Sequence, residues 1–457
     1  MSLYNSHVGR EKLKKIIARD GVKIHFLGIC GSGMLPLARL MHSRGAVISG
    51  TDASVPAEGM PELAVIAPLS SCDADIAVYS LAIGDRHPDV VYAREAGIPL
   101  VSRAELLGAV AEGYRRTIAV AGTHGKSTTT AMIHSILLAA GVAPTTVCGA
   151  KLPSGESLFI GNDDLILIEA CEYKDSFLHI DPSLAAITNV ELDHVDYFDS
   201  EERLVESFSR FARSASCGVV FWDDGGAAAR IARECGGVLV GFGDGCDYRV
   251  ADVLLRDDGA SFSLMIGDRT VARLKLRVYG MHNVANAALA AVVGMLYGVC
   301  IEDVERGLAS FYGIERRCEL IGYIGNRAVI YDYAHHPTEM RCTLETLKAR
   351  FGSVTCIFRP HTYTRTAAFF DGFVEALSIA DRSVLLDIFP AREKPIPGIT
   401  SEKMAKAVGD RCVHLDFADV VNYCLQNTSG AIALMGAGNV DSIKAELYRL
   451  IDAPACE

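Results

Sequence analysis

Short apolar runs, each followed by a polar or glycine-rich turn and then by apolar residues at helical spacing, recur along the whole chain. The first, "KIHFLGICGSGMLPLARLMHSRGAVISGTD", predicts strand, glycine turn, helix and strand, with the acidic Asp52 closing the second strand. This is the opening of a nucleotide-binding βαβ unit. The alternation continues through "DIAVYS" and "IPLVSRAELLGAV", and a second strand-loop-helix unit begins with "TIAVAGTHGKSTTTAMIHSILLAA". "DLILIEACE" and "LAAITNVELDH" read as further strands whose carboxyl ends carry charge, where open α/β sheets place ligands. A third set follows in "RAVIYDYAHHP", "SVTCIFRP", "SVLLDIF" and "AIALMGAGN".

The pattern therefore predicts an α/β protein of three domains: an N-terminal Rossmann-like unit over 1–114, a central P-loop ATPase-type unit over 115–317 and a C-terminal Rossmann-like unit over 318–457. The length of 457 residues agrees, since one core rarely organises so long a chain. No solenoid-length repeat or low-complexity tract interrupts the series, so the units are joined by short hinges.

Charge narrows the partners. A formal net charge of −12 argues against a nucleic-acid surface, so phosphorylated ligands must meet local positive charge. No signal-peptide pattern and no run of about 20 apolar residues is present, which predicts a cytoplasmic protein without membrane insertion. The fourteen cysteines lie far apart, mostly in apolar strings and with no CxxC pair, so buried free thiols in a reducing compartment are expected, with zinc ligation a poor second.

The strongest local signal is Gly122, Thr123, His124, Gly125, Lys126, Ser127 and Thr128. A strand feeding this loop and a helix leaving it would aim backbone amides at a bound anion, with Lys126 as a mobile charge. Ser127 and Thr128 are candidate metal-side hydroxyls. Glu169 ends one strand, Asp193 and His194 lie just past another, and such oxygens with one imidazole suit Mg2+. Asn283 and Asn286, beside His282, suit an adenine edge, although Asn283 equally suits helix capping. Arg316 and Arg317 sit near the second hinge. Asp332, His335 and His336 follow one strand, His361 and Arg365 another; Arg365 could grip a carboxylate or phosphate, while the histidine pair also suits a structural turn.

"GTHGKSTTT", "GMHNVANA", "GIERRCE", "YDYAHHPTE" and "FRPHTYTRT", in this order, resemble the ATP-dependent Mur ligases of peptidoglycan synthesis, and the alanine-adding members most of all. The resemblance spans nearly the whole chain. It implies ATP and Mg2+, with UDP-N-acetylmuramate and L-alanine as substrates of an acid–amino-acid ligase, in a monomer or weak homodimer. It assigns Lys126 to the γ-phosphate, and Ser127, Glu169 and His194 to metal. Asn283 and Asn286 would contact adenine, and Arg317 and Asp332 would bind ATP across the hinge. Gly28, Gly31, Ser32 and Gly33 would cradle the sugar diphosphate, with Asp52 beside them, while His336, His361 and Arg365 would face the amino acid.

Some positions depart from that pattern. Cys30 stands where the alanine ligases usually have glycine, in a loop that resembles the tripeptide-recycling branch, and Thr362 stands where other alanine ligases carry arginine, so any carboxylate contact falls more heavily on Arg365. No lysine occurs from Val195 to Ser216, which predicts no carbamylated-lysine metal bridge. Two readings from other classes compete: an NAD-dependent dehydrogenase using "GICGSGM" and Asp52, which leaves "GTHGKS" unexplained, and a non-catalytic ATP-binding module.

Overall fold

The computed structural model describes residues 8–53, 64–438 and 440–451. Three sheets carry the chain, and the strands expected from the apolar runs all form. In the first sheet, Ala64–Ile66, Val47–Thr51, Lys23–Leu27, Ile76–Tyr79 and Leu100–Ser102 lie side by side, all parallel. Strand order reverses at Lys23–Leu27, so a crevice opens at its carboxyl end, where the glycine turn begins.

The second sheet has ten strands. Its parallel centre runs Val238–Gly241, Val219–Trp222, Leu184–Ile187, Arg116–Ala121, Asn162–Glu169, Pro144–Val147. The sequence reading had not separated Tyr248–Arg256, Gly259–Ile266 and Arg269–Leu276, which extend this sheet as an antiparallel meander. Their alternation is that of an edge with one wet face, unlike the continuous apolar runs of the centre.

One face of the central sheet packs against helices Lys126–Ala139, Met281–Tyr297 and Ile301–Ala309, whose closest approach leaves no room for a side chain on Gly307 beside Ile136. The other face shares a continuous core with the N-terminal unit, running from Ile24 and Phe26 to Ile166 and Phe208. Helix Arg103–Ala111, closed by a Ser102–Glu105 capping box, presses Gly108 against the backbone of His179. That close approach docks the first unit on the segment Tyr173–His179, which follows Glu172.

In the third sheet Glu319–Ile324 is antiparallel to Arg327–Asp332, which is followed by Ala431–Met435, Val354–Phe358, Arg382–Leu385 and Cys412–His414, all parallel. Both of its faces are covered by apolar clusters. The thirteen cysteines among the described residues are free, but only Cys148, Cys356, Cys412 and Cys424 are buried, fewer than the apolar strings around them suggest. No helix among the described residues is long and apolar enough to cross a membrane.

Candidate active site

Arg116–Ala121 delivers the phosphate loop to the amino end of helix Lys126–Ala139. Gly122 has φ +137°, and the Thr188 hydroxyl occupies the place of its missing side chain, so only glycine fits there. His124 is pinned through its backbone, its amide donating to Asn189 Oδ1 at 2.9 Å and its carbonyl accepting from Asn189 Nδ2 at 3.0 Å. Lys126 curls over the loop, donating to the Thr123 carbonyl at 3.0 Å and pairing with Glu172 at 3.0 Å.

Strands Asn162–Glu169 and Leu184–Ile187 flank the loop strand, so their carboxyl ends converge on it. Glu169 accepts from the Ser127 hydroxyl at 2.9 Å on one oxygen and from the Gly149 amide at 2.6 Å on the other. His194, held at φ +52°, puts Nε2 3.6 Å from Glu172. Lys126, Ser127, Glu169 and His194 thus share one cavity of about 190 Å3.

The third unit closes this cavity. Arg365, buried, forms a two-pronged ion pair with Asp193, Nε to Oδ1 at 3.0 Å and Nη2 to Oδ2 at 3.1 Å. Burial opposes the Asp193 charge, yet Arg365 holds its carboxyl far below the usual range. The guanidinium expected to be open to an incoming ligand therefore faces the protein's own carboxylate. His361 lies 3.2 Å from Arg365 and is pushed down to about 4 by burial and that neighbouring charge, so it is neutral.

The two adjacent histidines separate. His335 turns into the small cavity and is held neutral, at about 4, by burial. His336, expected on the amino-acid side, caps helix Pro337–Phe351 by accepting from the Thr338 amide, and its ring lies 4.7 Å from that of His124 on the wall of the larger cleft. Its Nδ1 thus plays the part of the structural-turn alternative, while its buried Nε2 has no hydrogen-bond partner among the described residues.

The larger cleft, about 1620 Å3, is lined by Ser127, Thr128, Asn283, Asn286, Arg317 and Asp332 among others. Asn283 does not cap its helix: Gly280 stands at the cap, and the Asn283 amide donates to the Tyr279 carbonyl at 2.9 Å. Asn286 lies over the phosphate loop, with Oδ1 3.3 Å from the Thr129 hydroxyl. Asp332 accepts from Ala334, Cys318 and Thr343, joining hinge to helix, and burial lifts it to about 6. Arg317 Nη1 is 3.5 Å from Glu339.

At the N-terminal turn Gly28 has φ +80°, Gly31 and Ser32 are exposed, and Asp52 accepts from the Cys30 amide at 2.8 Å. That bond braces the turn from within and diverts the carboxylate on which the dehydrogenase reading relied. Sequence reasoning missed three contributors. Arg103 lies where a side chain on Gly33 would meet it at 3.3 Å; Glu191 and Glu339 both hold His124, at 3.1 and 3.3 Å. Their signals were weak: an arginine opening a helix, and acids at a strand end and a helix start.

A phosphate loop over a hydroxyl-carboxylate-imidazole cluster, sealed by an arginine from another unit, defines a class: the multidomain α/β ATP-dependent ligases. Sequence profiles narrow it. They match a Mur ligase family catalytic domain over residues 23–115, a Mur ligase middle domain over 120–294 and a Mur ligase glutamate ligase domain over 316–438. The UDP-N-acetylmuramate–L-alanine ligase of Acetivibrio thermocellus is 34% identical over 438 residues, covering 91% of this chain and 93% of its own. That of Clostridium kluyveri is 36% identical over 448 residues, covering 93% and 97%. Among solved structures, UDP-N-acetylmuramate-alanine ligase from Thermotoga maritima matches with a TM-score of 0.78 at 24% identity, covering 93% of this chain and 99% of that one. A murein peptide ligase from Psychrobacter arcticus matches at 0.68 and 23%, covering 95% and 100%. The chain belongs to the Mur ligase family.

Proposed function

We propose that this protein joins L-alanine to the lactyl carboxylate of UDP-N-acetylmuramate at the expense of ATP. The observation that carries the reading is the convergence of Lys126, Ser127, Glu169 and His194 on one cavity, whose wall also holds His335 and Glu339 from the third unit and Asp193, which Arg365 grips. In this reading residues 1–114 hold the UDP-sugar through Gly28, Gly31, Ser32 and Gly33, residues 115–317 hold ATP, and residues 318–457 bring the amino acid. Asn283 and Asn286 take the adenine, and Arg317 and Asp332 reach the nucleotide across the hinge.

The donor set suits Mg2+: a serine hydroxyl and a carboxylate already 2.9 Å apart, with one imidazole beside them. Ser127, Glu169 and His194 would hold the ion, which supplies charge neutralisation at the phosphates. The sugar's carboxylate attacks the γ-phosphorus and ADP leaves, giving an acyl phosphate. The alanine ammonium group loses one proton to give the free amine, which attacks the acyl carbon; the bond from that carbon to phosphate breaks and the departing phosphate takes the second nitrogen proton, leaving the amide. Lys126 exchanges the loop carbonyls and Glu172 for the γ-phosphate, and Arg365 exchanges Asp193 for the alanine carboxylate. Neutral His361 and His335 keep the site from overloading with positive charge.

The experiment is phosphate release from Mg-ATP with UDP-N-acetylmuramate, comparing L-alanine, glycine, L-serine and L-Ala-γ-D-Glu-meso-diaminopimelate. Release that requires the sugar and prefers L-alanine is expected. Preference for the tripeptide would transfer the assignment to the recycling branch that Cys30 resembles, and no stimulated release would overturn the ligase reading for this chain.

A further inference from the structure

We propose that His124, Glu191 and His336 form a Zn2+ site at the junction of the central and C-terminal units, separate from the cluster proposed for Mg2+. One ligand atom from each of the three lies within 4.8 Å of the others. His124 Nε2 is 3.1 Å from Glu191 Oε2, and the two imidazoles face each other 4.7 Å apart. His336 is 2% exposed, and its buried Nε2 has no hydrogen-bond partner among the described residues, so no existing bond at that atom has to break for it to become a ligand once its hydrogen moves to Nδ1.

The surroundings are those of a metal centre. His124 Nδ1 lies 3.3 Å from Glu339, a carboxylate placed to hold the ring with Nε2 presented inward. The free oxygen of Glu191 accepts from the Thr338 hydroxyl at 2.6 Å, which fixes that carboxylate too. Two imidazoles and a carboxylate select Zn2+ over Mg2+, which prefers oxygen and octahedral geometry. The site faces the large cleft, leaving the fourth position to water or an anion. Binding has a cost: His336 must carry its proton on Nδ1, which gives up the 3.3 Å cap bond from Thr338. Zinc replaces the proton that now bridges His124 to its acids, and it staples the phosphate loop to helix Pro337–Phe351.

Co2+ titration of the nucleotide-free protein, followed by Zn2+ displacement, tests this independently of any ligase activity. One equivalent of Co2+ should give d–d bands without sulfur-to-cobalt charge transfer, and Zn2+ should abolish them. Glu339→Gln should weaken binding about 10–100-fold, and Glu191→Gln and His336→Gln by more than that. Glu191 is partly exposed, so its amide variant keeps the assay meaningful if His336→Gln fails to fold. Charge-transfer bands would assign the metal to cysteines instead; unaltered affinity in Glu191→Gln, or no stoichiometric binding, would equally overturn the site.

Discussion

The molecule has two glycine loops of the same local design, strand, turn and helix, and they differ in what surrounds them. At Gly122 the Thr188 hydroxyl fills the side-chain position, whereas at Gly28 the nearest atom to an added Cβ is 3.8 Å away. The phosphate loop carries Lys126 paired with Glu172, a serine on Glu169, and His124 held by acids from two units. The N-terminal turn has an internal brace, Asp52 to Cys30, and one nearby guanidinium, Arg103. Both have the form of an anion cradle, but among the described residues only the first is enclosed by a second unit that brings opposing charge. Chemistry on a phosphate needs that enclosure, because charges acting on a transition state gain strength where water is excluded.

Removing what encloses the phosphate loop should have the largest effect. Arg365→Ala leaves Asp193 buried and unpaired, and loss of one partner from such a pair costs about 3–5 kcal/mol. Chemical denaturation should register that loss, and Asp193→Asn combined with Arg365→Ala should recover part of it. If the single variant melts like the parent, the enclosure contributes nothing. Lys126→Ala comes next, with turnover falling about 10²–10³-fold. Its counterpart Gly28→Ala should alter the UDP-sugar KM and leave ATP binding unchanged; equal damage to both substrates would erase the distinction between the loops.

The two loops also show what a sequence discloses. Each was legible, as were the strands around them, because strand, glycine and helix signals are local in the chain. Glu169 and His194 could be read at strand ends, where α/β sheets place ligands. Pairings across units could not. Asp193 meets Arg365 over a separation of 172 residues and Thr338 meets Glu191 over 147, and no periodicity encodes them. His335 and His336 illustrate the same limit: adjacent in sequence, they face different cavities, His336 being turned aside as the N-cap of the helix that starts at Pro337. The meander Tyr248–Leu276 was missed for another reason, its short mixed runs lacking the continuous apolar signature of the central strands.

The histidine in the phosphate loop offers a pH handle that the N-terminal turn lacks. Burial works against charge on His124, but Glu339 and Glu191 outweigh it and raise the imidazole to about 9. The folded state then keeps a proton that the unfolded chain loses near 6.5. Its contribution, about 3 kcal/mol, is full below pH 6.5 and disappears as pH rises through 9. Urea denaturation across that window should show falling stability in the parent and a flatter profile in His124→Gln. A parent profile as flat as the variant's would mean that the two acids do not hold a charged imidazole.

The smallest effect tests the N-terminal turn alone. If Arg103 is the charge that this turn offers a diphosphate, Arg103→Ala removes one charge-assisted contact at a partly open surface, a loss of about 1–2 kcal/mol. That corresponds to roughly a tenfold rise in KM for UDP-N-acetylmuramate. Turnover at saturating sugar and the KM for ATP should stay level, since Arg103 lies against Gly33 of the N-terminal turn and opens a helix of the first unit. Its charge does reach Cys171, next to Glu172, and there helps to offset the burial that raises the thiol. A fall in turnover together with the KM change would therefore mean that the two loops are coupled through this arginine, and the division between a binding turn and a reacting loop would have to give way to a single continuous site.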